Sequence, residues 1–264
     1  MTYPVEDIVG YKVGTLGVQA SVADVVSWVR NKRDADTVDQ SKWLATLNPH
    51  SYAVALNDVN FSRALLDADW LTPDGVGIVL ASKVLGGQIR ERVTGSDIFW
   101  GVMKELNHLG GGSVFFLGTT DETLNEIRER MLVDFPNLYV AGTYAPPFKK
   151  NFSDDDNERM LTAINSVSPD VLWVGLTAPK QEKWLYENSG KLNVRFAAAV
   201  GAMFDFYVGR VKRSHPIFQK LGLEWFPRLI QEPRRLWKRM FVSAPIFMWH
   251  VLRARLQKRY KRQY

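Results

Sequence analysis

The stretch "GSVFFLGTTDETLNEIRERMLVDF", residues 112–135, decides the fold. Val114, Phe115, Phe116 and Leu117 form an apolar run without alternation, which suits a strand covered on both faces. Gly118 ends the run, Thr119, Thr120 and Asp121 supply residues able to cap, and an amphipathic helix follows. A strand that passes directly into a helix is the repeating unit of a parallel sheet.

Working outward, the same succession recurs along the chain. "LYVAGTYAPPF" (138–148) precedes the helical "SDDDNERMLTAINSV" (153–167), and "DVLWVGLTAPKQEKWLYEN" (170–188) and "VRFAAAVGAMFDFYVG" (194–209) each run from strand to helix. Upstream, "SKWLATLN" (41–48) reads as a strand and "HSYAVALNDVNFSRALLDA" (50–68) as one helix. "DWLTPDG" (69–75) gives a short extended piece closed by a turn, and "VGIVLASKVLGG" (76–87) a helix ended by Gly86 and Gly87. The expected fold is α/β, Rossmann-like, with a mostly parallel sheet, helices on both faces and a basic amphipathic helical appendage at the C-terminus. Residues 1–209 are assigned to the core and 210–264 to the appendage.

Composition agrees with a globular chain: 264 residues, 46% hydrophobic and 12% aromatic, are enough for a sizeable core. Zero cysteines exclude a disulfide framework, thiolate metal sites and cysteine nucleophiles, and fit a reducing compartment. No signal-peptide pattern or membrane-spanning apolar run is visible, so a cytosolic location is expected. Charge is unevenly placed. From residue 228 onward eleven basic residues face the single acid Glu232, a net +10 against +6 for the whole chain, which leaves −4 for the rest. The C-terminus is built to meet something anionic.

In such folds chemistry sits beyond the carboxyl ends of the strands, at the N-termini of the following helices. The residues there are Thr46, Asn48, Asp74, Gly75, Gly118, Thr119, Gly142, Tyr144, Gly175, Thr177 and Gly201, expected on one rim. Asp74 stands between Pro73, restrained in φ, and the permissive Gly75. Two readings fit it: a cap for the helix that begins directly after, or a carboxylate aimed into the crevice. Arg92 is either a surface charge or a planar fork for phosphate near Asp74. Lys180 and Gln181 follow Pro179 in a first helical turn, where they either hold phosphate or a sugar hydroxyl or keep the surface soluble.

Other signals point away from alternative chemistry. Gly75-Val76-Gly77 lacks the third glycine of a dinucleotide fingerprint, since Leu80 occupies that place. Asp154-Asp155-Asp156 follows Ser153 and reads as a solvated first turn rather than a metal site. His50, His108, His215 and His250 are too far apart to form a spaced ligand motif.

"TLNPHSYAVA" (46–55), "LTPDGVGIVLASKVLGGQIRERVTGSD" (71–97), "VFFLGTTDETL" (114–124), "DVLWVGLTAPKQEKWL" (170–185), "GAMFDFYVGRVKRSHP" (201–216) and "LGLEWFPRLIQEPRRLWKR" (221–239) together resemble the WecG/TagA/CpsF glycosyltransferase family, glycosyltransferase family 26. The resemblance implies an inverting, metal-independent transferase with no cofactor beyond its donor substrate, a UDP-sugar. Its acceptor would be a polyprenyl-diphosphate-linked saccharide at the cytoplasmic membrane face, and its products surface polysaccharides such as teichoic acid linkage units, common antigen, capsule or exopolysaccharide. Carried over, the proposed base is Asp74, with Thr46, Asn48 and Arg92 facing the site. Gln181 is implied near donor sugar and phosphate, and Asp205 near the nucleoside. Displacement at an anomeric carbon needs a base for the acceptor hydroxyl and positive charge for the departing UDP. The tail supplies Arg228, Arg234, Arg235 and Arg239, with Lys238 where the family pattern is often arginine.

Beyond them, Ile246, Phe247, Met248, Trp249, Val251, Leu252 and Leu256 give residues 242–264 an apolar side beside basic residues. This pattern suits an interfacial helix on anionic lipid, and the bland alternative is packing on the protein's own core. A nucleic-acid binder would show isolated stacking aromatics instead of a bulky apolar cluster, and an NAD-linked oxidoreductase would show the third glycine and a ribose-binding acid. Nucleic acid is therefore not an expected partner, and the sequence leaves a homo-oligomer open.

Overall fold

A computed structural model describes residues 3–31, 41–210 and 237–263, the side chains of 258–263 excepted. The chain opens with β1 (Val5–Ile8) and β2 (Tyr11–Gly14), then α1 (Val18–Arg30), β3 (Lys42–Leu47), α2 (Pro49–Ala55), α3 (Val59–Asp67), β4 (Trp70–Pro73) and α4 (Val76–Leu85). It continues through α5 (Gly95–His108), β5 (Gly112–Gly118), α6 (Asp121–Asp134), β6 (Leu138–Tyr144), α7 (Asp154–Asn165), β7 (Val171–Gly175), α8 (Lys180–Asn188), β8 (Phe196–Ala199) and α9 (Met203–Tyr207). A π-helical turn, Arg239–Ser243, leads into α10 (Ala244–Gln263).

Six strands form one parallel sheet in the order β4-β3-β8-β7-β5-β6, and β1 and β2 pair antiparallel beside it. Strand alternation divides the core into two layers. Trp43, Ala45, Leu47, Leu71, Phe115, Leu117, Leu172 and Val174 face a layer shared with α2, α3, α4, α7, α8 and α10. Leu44, Trp70, Val114, Phe116, Val171 and Trp173 face α1, α5, α6 and α9. The unalternating apolar runs are explained by this burial on both faces, and the expected α/β class holds.

Two expectations need correction. Residues 50–68 do not form one helix: the chain breaks after Ala55, and Asp58 starts α3 by accepting a 3.0 Å hydrogen bond from the Phe61 N–H. The tail helix also divides its apolar residues between opposite faces. Phe247 and Val251, one turn apart, are fully buried against the core, and burying the Phe247 ring contributes about 1.5–3 kcal/mol. Trp249, Leu252 and Leu256 lie on the other face, exposed by 57%, 52% and 66%. The inner face of α10 therefore packs on the core, and the outer face is exposed.

Candidate active site

The parallel register brings the strand ends together. Leu47 pairs with Pro73, Leu117 with Tyr144, Gly118 with Gly175 and Val174 with Ala199, so the loops that follow emerge on one rim. Gly142 and Thr46 are exceptions, since Gly142 lies within β6 opposite Phe115 and Thr46 within β3 opposite Thr72.

Asp74 leaves β4 with its N–H bonded to the Leu47 carbonyl at 2.8 Å. The cap reading of this residue fails: Gly75, at φ 90, is the N-cap of α4, and no side chain caps that helix. The left-handed φ suits glycine and turns the chain so that the partly buried Asp74 carboxylate meets Asn48, whose Nδ2 donates to Oδ2 at 3.1 Å. Asn48 Oδ1 accepts from the N–H groups of His50 at 3.0 Å and Ser51 at 2.9 Å, so one amide caps α2 and holds Asp74. Burial pushes the Asp74 carboxyl above the ordinary range, against the lowering influence of the Asn48 hydrogen bond and of the Arg92 and Arg239 charges. Asp97, on α5, adds a smaller raising effect. A buried carboxylate with a raised pKa is suited to take a proton.

The charges of Arg92, in the segment between α4 and α5, and of Arg239, in the π-helical turn of the tail, act on this centre. Thr46 is half-buried on β3, two residues before Asn48. Lys238 is exposed beside Arg239, while Arg228, Arg234 and Arg235 lie outside the described residues.

The glycines of the rim have steric duties. A Cβ on Gly118 would lie 2.5 Å from the Gly175 carbonyl oxygen, and one on Gly175 would lie 2.4 Å from the Phe204 ring. Both therefore secure close backbone packing, and Thr119 follows at φ 54 before α6. Gly77 packs against Pro49, where a Cβ would approach Cγ to 2.5 Å. This explains Gly75-Val76-Gly77 without a dinucleotide.

Gln181 is only 4% exposed, and both ends of its amide are engaged: Oε1 accepts from the Gly201 N–H at 3.0 Å and Nε2 donates to Glu182 Oε1 at 2.9 Å. It ties the start of α8 to the loop after β8. Lys180 reaches back to the Lys149 carbonyl at 2.5 Å and covers the Phe152 ring at 3.5 Å, which leaves it a structural role. Tyr144 is half-buried at the end of β6, and Asp205 is half-buried on α9, where its charge acts on Arg210.

Asp156 completes a capping box with Ser153 and accepts from Lys149 Nζ at 2.9 and 3.0 Å. Among the described residues no group of three metal-ligating side chains comes together. Sequence reasoning missed His50, Tyr52, Ser243 and His250, which join α2 to the tail. His50 Nδ1 lies 2.9 Å from Ser243 Oγ, and Tyr52 Oη lies 2.7 Å from His250 Nδ1. Separations of 193 and 198 residues leave no local signal of either pair.

Comparison with known proteins places the chain among glycosyltransferases. The chain is 31% identical over 218 residues, 82% of this chain and 81% of the relative, to the N-acetylglucosaminyldiphosphoundecaprenol N-acetyl-beta-D-mannosaminyltransferase of Bacillus spizizenii. It is 27% identical over 248 residues, 92% of this chain and 93% of the relative, to the Staphylococcus aureus MW2 protein of the same name. The Bacillus subtilis strain 168 protein of that name is 28% identical over 219 residues, 82% of this chain and 81% of its own. With a match extending over residues 6–261, the chain belongs to the glycosyl transferase WecG/TagA/CpsF family.

Proposed function

We propose that this protein transfers an N-acetylhexosamine, N-acetylmannosamine before others, from a UDP-sugar to a lipid-diphosphate-linked N-acetylglucosamine, with inversion at the anomeric carbon. The observation that carries the reading is the Asp74 carboxylate, held by Asn48 and flanked by Arg92 and Arg239. The activity named for relatives that align over most of their length supports the choice of sugars and lipid acceptor.

In the proposed reaction Asp74 removes the proton of the acceptor hydroxyl as its oxygen attacks the anomeric carbon from the face opposite the diphosphate. The bond from that carbon to the diphosphate oxygen breaks, and UDP departs with the bonding electrons. Arg92 and Arg239 offset its growing negative charge, a contribution shared with Arg228, Arg234 and Arg235 of the tail. No cofactor or metal is assigned, so transfer is expected to survive excess EDTA.

The acceptor's lipid places the reaction at a membrane surface, for which we assign the outer face of α10. Trp249, Leu252 and Leu256 are exposed beside Arg253, and residues from 228 onward carry a net +10. No helix among the described residues is long and apolar enough to cross a membrane. The mode we assign is peripheral, at the cytoplasmic face that the family resemblance implies. A panel of UDP-sugars against a synthetic N-acetylglucosaminyl lipid diphosphate, read by mass spectrometry, tests donor and acceptor together. Products from UDP-N-acetylmannosamine support the reading; absence of any transferred sugar overturns it.

A further inference from the structure

We infer that His50, Tyr52, Ser243 and His250 form a latch that positions the active site, fixing the C-terminal helix on α2 so that Arg239 and Asn48 are held together about Asp74. The inference rests on the transferase reading above and adds to it four residues that do not touch the reacting atoms.

The latch closes a ring of contacts. Asp74 is held by Asn48, and Asn48 caps α2 through the N–H groups of His50 and Ser51. In the same turn His50 Nδ1 meets Ser243 Oγ at 2.9 Å, and Tyr52 Oη meets His250 Nδ1 at 2.7 Å. Between these two polar pairs the Tyr52 ring meets the Phe247 ring edge-on, with centroids 5.1 Å apart. Ser243 ends the π-helical turn that begins at Arg239, whose charge acts on Asp74. Thus α2 holds the base at one end and, along its length, the segment that returns a cation to that base.

The docking chemistry is itself informative. The tail, with a net charge of +10, is fastened here by hydroxyl–imidazole pairs and an aromatic edge. Such hydrogen bonds and ring contacts depend less on salt than ion pairs at the surface do. The tail's charge then remains available for an anionic surface while its inner face stays seated.

The groups that act on Asp74 are Asn48 from α2, Arg92 from the segment before α5, Asp97 from α5 and Arg239 from the tail. Loosening the latch withdraws the Arg239 charge, so the Asp74 pKa rises and the acid limb of the kcat/KM profile moves to higher pH.

The test uses the full chain with a detergent-soluble short-prenyl acceptor. His50→Ala with Tyr52→Phe removes both polar pairs and is expected to lower kcat by about tenfold and to move the acid limb upward. Hydrogen exchange should quicken in peptides covering 244–257 and 72–78 while β5 and β7 keep their protection. His50→Asn, which retains a polar atom near the Nδ1 position, should recover most of the activity. Asn157→Ala removes the 3.0 Å bond from Trp184 Nε1 on the α7 and α8 side and should lower stability without moving the limb. An unmoved limb, or unchanged exchange at both 244–257 and 72–78 in the double variant, would overturn the latch. A wild-type chain inert toward every donor would instead overturn the transferase reading, and the exchange at 72–78 would still decide whether the latch orders the Asp74 turn.

Discussion

Asp74 and Asp156 both stand beside a helix start, and their surroundings are opposite. Asp156 lies inside the first turn of α7, exchanges hydrogen bonds with Ser153 and pairs with Lys149, and its pKa is lowered to about 2. Asp74 lies one residue outside the N-cap of α4, leaves that helix uncapped, and is pushed upward by burial. One carboxylate has its lone pairs satisfied by local partners, and the other keeps capacity for an incoming proton. Position near a helix N-terminus therefore does not distinguish structure from chemistry; the number and origin of the partners does.

The largest effect that would break this contrast comes from exchanging carboxylate for amide at each place. Asp74→Asn is expected to lower turnover by about 100-fold or more with UDP affinity nearly intact, within the range of a lost general base. Asp156→Asn should leave turnover close to wild type. Equal activities for the two variants in a steady-state assay would remove Asp74 from the chemistry.

A smaller effect sharpens the contrast at the partner of Asp74. Asn48 both lowers the Asp74 pKa through its hydrogen bond and caps α2. Asn48→Ala should therefore raise the acid limb of kcat/KM and cut turnover by about tenfold, while loss of the cap costs about 1 kcal/mol of stability. The pH profile and a denaturation curve separate these parts. A destabilised variant with an unshifted limb would make Asn48 a cap alone.

The core was legible because burial on both faces of a parallel sheet writes itself into runs such as Val114 to Leu117 and Val171 to Val174. The β1 and β2 hairpin was not: its strands are four residues each, and its turn, Val9 at φ 46 followed by Gly10 at φ 98, follows no strong turn pair. The helix break before Asp58 was hidden because α2 and α3 both face the same core layer, so apolar spacing continues across it. In the tail, periodicity revealed apolar residues but not that Phe247 and Val251 turn inward while Trp249 and Leu252 turn outward; only the shape of α2 and α4 decides that. The resemblance pointed to Asp74, Asn48 and Arg92 as site residues, whereas the physics of the turn alone left Asp74 divided between cap and base, and the structure removes the cap. Gln181 carries partners that its motif did not announce: its amide joins the Gly201 N–H and Glu182.

The smallest expected effect tests the structural half of the comparison. The Asp156 pKa is lowered from 3.8 to about 2, chiefly by the hydrogen bond from Lys149, so the charged carboxylate favours the folded state. A depressed pKa gives stability that is fully present above the unfolded value and is lost as pH falls through the folded one. The Lys149→Ala variant should consequently melt slightly below the wild-type chain above pH 4, and the two curves should converge as pH approaches about 2. Because the Lys149 side chain is 51% exposed, added salt should narrow the gap as well. Thermal denaturation of both proteins between pH 2 and pH 7, at low and high ionic strength, measures this directly. A gap that persists at the acid end would assign the Lys149 contribution to packing of its alkyl chain, and the capping box alone would then account for the Asp156 charge.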